Sequence, residues 1–283
     1  MLPLHGFRSV LGFALSLIGV IISGSSCSPN ESKITSSISR TSALFIYAAS
    51  SFEPIINEIN QRYQLRYPQR HIHVTLTGSH TARLQLERGA PPGVFISASP
   101  RHIDALERLG KVEVQQTIAR NQLVLLTREA LNITSLNQID RAQRWGLGHA
   151  RVPIGQLAES LLRALYLKGR PLIERVTPHL VTRALSARAL RGRAQREELD
   201  AVILYQTDLP ALPTWRVVPL PEKLTARHQA RYVIALTRHQ TQDHASSAAH
   251  DWLKLITHPQ GSATMKRLGF IPEVHASSPH EHR

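Results

Sequence analysis

The sequence predicts an α/β fold, and three observations carry that expectation. Apolar runs suited to buried parallel strands recur, at Leu44-Phe45-Ile46-Tyr47-Ala48-Ala49 and at Asp200-Ala201-Val202-Ile203-Leu204-Tyr205, because a strand covered on both faces has no polar side to alternate with. Strand-like runs repeatedly give way to apolar residues at helical spacing, the strand-then-helix order of a parallel sheet. Length is the third: beyond residue 26, what remains of the 283 residues is enough for two lobes of ordinary domain size.

Residues 1–26 read as a secretory signal. Arg8 supplies a positive charge, Val10 to Ile22 is an apolar run too short to span a bilayer comfortably, and Ser23-Gly24-Ser25-Ser26 are small residues ahead of Cys27. Cys27 is the only cysteine, so there is no disulfide framework. A lone cysteine after small residues looks like a bacterial lipoprotein processing site, although Gly24 stands where such signals usually carry leucine; an ordinary signal cleaved nearby is the alternative. Residues 27–42, rich in serine, read as a tether.

After the first strand, Ser50-Ser51 precede Phe52-Glu53-Pro54, where a helix is expected to start. His71-Ile72-His73-Val74-Thr75-Leu76 alternates as a strand, Thr77-Gly78-Ser79 closes it, and Leu84-Gln85-Leu86 resumes helical spacing. Glycine lets the backbone approach a ligand, serine donates, and a helix N-terminus presents unsatisfied N–H groups, so both turns suit an anion. A plain N-cap has the same signature. Asn121 to Thr127 is expected to be a strand crossing between lobes, and Trp145 to Gly148 a short strand. A loop containing Val152-Pro153-Ile154-Gly155 then leads to a helix from about Gln156 to Leu167, where Ile154, Gly155 and Gln156 can aim N–H groups at a ligand. Arg183, Arg188, Arg191, Arg193 and Arg196 run into Glu197-Glu198 and read as an exposed helix with its following loop. Tyr205 closes its strand, with its hydroxyl either in a cleft or in the core. Ala230 to Leu236 reads as a strand returning to the first lobe, followed by helices over Ala245 to Ile256 and Gly261 to Leu268 with Gly269 as C-cap. Two crossings imply a hinge. The lobes are expected at 43–122 with 230–274 and at 123–229, and residues 275–283 as a disordered tail.

Composition excludes more than it selects. The net charge of +14 could suit nucleic acid or steer an anion, but the arginines are scattered and only 5% of residues are aromatic, leaving few stacking platforms. No Gly-x-Ser-x-Gly elbow, His-Glu-x-x-His pair, phosphate loop or cysteine pair is present, so no enzyme chemistry and no cofactor are expected. His71 and His73, and His275, His280 and His282, read as solvated rather than metal-binding.

Six short motifs occur in one order. They are Ala48-Ala49-Ser50-Ser51, Gly78-Ser79, Gly89-Ala90-Pro91 with Val94-Phe95-Ile96-Ser97-Ala98, Val152-Pro153-Ile154-Gly155, Ile203-Leu204-Tyr205-Gln206-Thr207-Asp208 and Gly269-Phe270-Ile271-Pro272. In this the chain resembles the molybdate-binding proteins of ABC transporters, from about Ala43 to Val274. The resemblance implies a two-lobed periplasmic-binding-protein-like fold, each lobe a mostly parallel sheet flanked by helices. It also implies a monomer in the periplasm or outside the cytoplasm, held at the membrane if Cys27 is lipidated, that captures molybdate or tungstate between its lobes and delivers it to an ABC permease. Carried over by position, Ser50 and Ser79 give hydroxyl and backbone donors, Ile154 and Val181 backbone N–H groups, and Tyr205 its hydroxyl, with no direct ligand to the metal. His80 stands where the family often has serine or glycine, and extra residues between Val181 and Tyr205 place the arginine cluster on an insertion. Another oxyanion, sulfate or phosphate, would use similar donors. A basic nucleic-acid-binding or regulatory module is the alternative of a different class; its cytoplasmic location conflicts with the signal.

Overall fold

A computed structural model of the chain describes residues 43–238 and 246–273. The signal, the tether, Cys27 and the tail from residue 275 lie outside the described residues. Leu44–Ala49 (β1) leads through a 3₁₀ turn, Ser50–Phe52, into Glu53–Arg66 (α1). Ile72–Thr77 (β2) leads into Ser79–Glu87 (α2), and Val94–Ser97 (β3) into Pro100–Arg108 (α3). Val112–Asn121 (β4) and Leu123–Arg128 (β5) follow almost without a break. Trp145–Gly148 (β6) then precedes Pro153–Ala164 (α4), and the short strands Tyr166–Leu167 (β7) and Arg170–Pro171 (β8) precede Leu172–Val176 (α5). Leu180–Ala184 (β9) leads into Ala187–Gln195 (α6), and Ala201–Tyr205 (β10), Trp215–Val218 (β11) and Glu222–Arg227 (α7) complete the middle of the chain. Ala230–Thr237 (β12), Ser247–Thr257 (α8), Pro259–Arg267 (α9) and Ile271–Pro272 (β13) close it.

Among the described residues these strands form a six-stranded sheet, β13-β4-β12-β3-β1-β2, a five-stranded sheet, β11-β5-β10-β6-β9, and the β7-β8 hairpin. Both large sheets are mixed. Each holds a parallel trio, β2-β1-β3 or β9-β6-β10, flanked by antiparallel strands that belong to the crossings between lobes. Parallel pairing is thus confined to the strands that hand over to helices, while β12 and β5, which enter each sheet from a crossing, run opposite to the trio beside them. The first crossing is at Gln122, between β4 in one sheet and β5 in the other, and the return enters β12, whose Ala230 pairs with Asn121. The crossing strand expected over Asn121 to Thr127 is therefore two strands meeting at one residue.

Strand β10 is buried at every position, and β1 at all but Phe45, as their apolar sequences require. Behind β1, the rings of Phe52, Tyr232 and Phe270 meet at centroid distances of 4.9 to 5.4 Å. Burying each ring contributes on the order of 1.5–3 kcal/mol. The Tyr232 hydroxyl lies 2.7 Å from Ser51 Oγ, which ties this core to the turn after β1. Gly269, at φ +85°, ends α9 as expected, with Phe270 N–H donating to the Met265 carbonyl at 3.0 Å.

Helix α4 begins and ends earlier than its sequence suggests. Pro153 occupies its first turn, where a missing N–H costs nothing. Tyr166 and Leu167 continue the apolar spacing but pair instead with Pro171 and Arg170 around Lys168 and Gly169, both at positive φ, in the tight turn that such a hairpin uses. At the other end of α4 the helix lies directly on β6. A Cβ on Gly155 would stand 2.1 Å from the His149 carbonyl oxygen and 2.5 Å from that of Gly148, and neither backbone group can rotate away. Gly155→Ala should therefore lower stability by about 1–3 kcal/mol, read as a lower urea midpoint at unchanged slope.

Candidate functional site

All six parallel strands send their carboxyl ends to one place. The turn after β1 brings Ser50 and Ser51, the β2–α2 junction Gly78 and Ser79, and the end of β3 Ala98. From the second sheet, Val152 to Ile154 follow β6, Ser186 and Ala187 follow β9, and Tyr205 ends β10. They line a small, partly open cavity of ≈ 20 Å³, on a scale where one water needs about 10–15 Å³. A sugar or an amino acid does not fit there, whereas a single small ion does. The convergence follows from topology, since ligands of open α/β sheets lie beyond the carboxyl ends of strands.

The lining is built from donors and carries no charge. None of the described residues that line the cavity is acidic or basic. Four helical segments start there, at Ser50, Ser79, Pro153 and Ala187, and the first N–H groups of a helix have no acceptor within it. Ser79 Oγ accepts the Ala98 N–H at 3.1 Å, and Ser50 Oγ accepts the Arg188 N–H at 3.4 Å, so each hydroxyl keeps its proton for a further partner. The Tyr205 hydroxyl is buried with no hydrogen-bond partner among the described residues. Burial, with Tyr232 and Asp208 nearby, pushes its pKa well above the ordinary phenol value, so it remains a donor. A buried orphan hydroxyl facing helix starts fits an occupant that only accepts hydrogen bonds.

Of the residues expected at the site from sequence, Ser50, Ser79, Ile154 and Tyr205 lie on this cavity. Val181 does not. It stands near the start of β9, 52% exposed and outside the lining. The register explains the correction: Gly148 at the end of β6 is level with Ala184, so β9 reaches the site only in the residues after Ala184. Ser186 and Ala187 take that position, with Ser186 Oγ capping α6 through the Ala189 N–H at 3.1 Å. The signal was present in sequence, a serine between a strand and a helix, the same pattern as at Ser50 and Ser79. His80 lies in the first turn of α2 outside the lining, and no group of three or more metal-binding side chains occurs among the described residues.

Residues 44–271 match the family described as bacterial extracellular solute-binding protein. The chain belongs to that family. It is therefore a transport solute-binding protein and not an enzyme. A curated relative, the molybdate-binding protein ModA of Haemophilus influenzae, is 26% identical over 185 residues, 61% of this chain and 69% of the relative. Among solved structures, the periplasmic molybdate-binding protein of Azotobacter vinelandii superposes with a TM-score of 0.65 at 14% identity, covering 82% of this chain and all of that one. The sulfate-binding protein SubI of Mycobacterium tuberculosis superposes with a TM-score of 0.63 at 16% identity, covering 81% and 86%. These structures share the two-lobed fold.

The lobes touch through backbone at the cavity. A Cβ on Gly78 would lie 2.4 Å from the Leu185 carbonyl oxygen of the other lobe. Gly78→Ala should hold the lobes apart, weakening ligand affinity by at least about tenfold while the ligand-free melting temperature stays near that of the unmutated chain; calorimetric titration with molybdate beside thermal melting checks both. Next to the site, the buried His102 is held down to about 4 by burial first and then by Arg83, His80 and Arg101. Its unfolded state binds a proton more readily, so stability should fall by up to about 3 kcal/mol as pH drops from about 6.5 through about 4. Asp208, pushed up to about 6 by burial, acts with the opposite sign and gains stability as pH falls through that value. The measurement is therefore the difference in urea stability between the unmutated chain and His102→Gln, which should shrink across this window.

Proposed function

We propose that this chain captures a small, fully deprotonated tetrahedral oxyanion, molybdate or tungstate, between its lobes and delivers it to an ABC permease. The observation that carries the reading is the uncharged, donor-rich lining: five of the six strand ends supply hydroxyls or helix N–H groups, and no described lining residue is charged. An oxyanion without protons accepts from every side, and neutral donors hold it without a buried counter-charge. A protonated phosphate would favour a carboxylate acceptor, and none lines the cavity among the described residues. The curated relative's name, molybdate-binding, supports the same choice. Sulfate is the second reading, favoured by the likeness to a sulfate-binding protein.

In this reading Ser50, Ser79 and Tyr205 donate through hydroxyls, and Ile154 and Ala187 through N–H groups. Residues 43–122 with 230–274 and residues 123–229 act as two lobes that close on the anion. The chain works as a monomer outside the cytoplasm, and lipidation at Cys27 would hold it at the membrane near its permease.

Calorimetric titration with molybdate, tungstate, sulfate and phosphate tests the ligand. Molybdate and tungstate should bind most tightly; no measurable heat with either would overturn the assignment. Ser79→Ala and Tyr205→Phe each remove a donor to a charged ligand and should cost roughly 1.5–3 kcal/mol, about ten- to 150-fold in affinity. Unchanged affinity in a folded variant removes that residue from the site.

A further inference from the structure

Helix α6 carries two arginines toward the other lobe. Arg188, besides its N–H contact to Ser50, places Nη1 3.2 Å from Glu53 Oε1. Arg191 stands between two carboxylates, 3.9 Å from Glu53 Oε2 and 2.9 Å from Asp208 Oδ1. Glu53 opens α1 directly behind the Ser50–Ser51 turn, in the first lobe. Asp208 follows Tyr205 in the second, and its Oδ2 accepts the Tyr205 backbone N–H at 3.3 Å. Both ends of this chain of contacts reach the cavity, one at Ser50 and the other at Tyr205.

We propose that Arg191 is a positioning residue of the oxyanion site, the tie through which closure of the lobes seats Tyr205. This rests on the oxyanion reading above. The Asp208 side chain is only 2% exposed, and a buried carboxylate needs a cation beside it. Burial raises its pKa and Arg191 opposes the rise. Parting the lobes leaves Arg191 with Asp208 alone, and closing them adds Glu53 to the same guanidinium, whose several donors serve two carboxylates at once. The added pair exists only when the lobes are together, so it slows escape of the anion and leaves its entry nearly unchanged.

Glu53→Gln removes the first-lobe end of the tie, Asp208→Asn the second-lobe end, and the double variant removes both. Escape is measured by chasing bound radiolabelled molybdate with unlabelled molybdate, and the on-rate comes from the calorimetric Kd. Glu53→Gln should raise koff about three- to tenfold with kon within about twofold, and its ligand-free melting temperature should stay within about 2 °C, which a general structural loss would not allow. In the double variant the rise should fall short of the product of the two single effects, because both act through Arg191; this separates Arg191 from Arg188, which also meets Glu53. If Asp208→Asn does not fold, Arg191→Lys takes its place in the cycle. A koff in Glu53→Gln within about twofold of the unmutated value overturns the tie, as do effects that simply multiply. If the unmutated chain binds no molybdate, the oxyanion reading falls and the tie with it; molybdate binding with unaltered escape removes the tie alone.

Discussion

A helix cannot satisfy the N–H groups of its own first turn, and this protein gathers four such starts around one point. Most of the architecture follows from that constraint. Parallel strands are needed because each ends where a helix begins, and two sheets are needed because one trio of strand ends surrounds an ion on one side only. In the proposed function, a bound oxyanion is the acceptor that the fold lacks. Neither lobe lines the cavity alone, so in that reading the driving force for bringing them together lies in the ligand itself.

Charge is kept out of the cavity and used around it. The chain has a net charge of +14, yet the described lining holds only serine, threonine, tyrosine, glycine and apolar residues. A buried cation facing the anion would have to lose its hydration whether or not the ligand was bound, a penalty that neutral donors escape. Attraction over distance belongs to the surface, and recognition at contact belongs to hydrogen bonds of fixed direction. Tyr205 shows the division most plainly, since burial first, with Tyr232 and Asp208 nearby, keeps its proton in place.

The sequence carried the strand ends well because punctuation marks them. Ser50, Gly78-Ser79 and Pro153-Ile154 sit where an apolar run breaks and helical spacing resumes, and each was legible for that reason. Ser186 carries the same mark after β9, but Val181 came from the family resemblance by position, and an insertion before Tyr205 makes positional carry-over slip there. The β7-β8 hairpin was hidden because Tyr166 and Leu167 fit a helix as well as a strand, and only the Lys168-Gly169 turn separates the two. The arginine cluster shows a different limit. Its composition suggests a solvated face, but Arg191 is only 20% exposed, held by Asp208 at 2.9 Å and by Glu53, far away in sequence, at 3.9 Å. Pairings of that range follow from the fold and leave no local trace. The antiparallel sense of the crossing strands is of the same kind, since no feature within β5 or β12 states its direction.

The two passages between lobes lie side by side, with Asn121 paired to Ala230 where they cross. Two adjacent strands act as the spine of a book, and a rotation about a spine displaces each point in proportion to its distance from it. Tyr205 pairs with Leu123, one residue past the crossing, and so lies beside the axis. Ser186 and Ala187 follow β9, the outermost strand of its sheet, and sit at the free edge of the page. If the lobes open about this spine as proposed, the phenol is displaced far less than the start of α6, which sweeps through the longest arc. Closure about such a spine would assemble the binding shell in an order, from spine to edge, and the last donors to arrive would travel farthest.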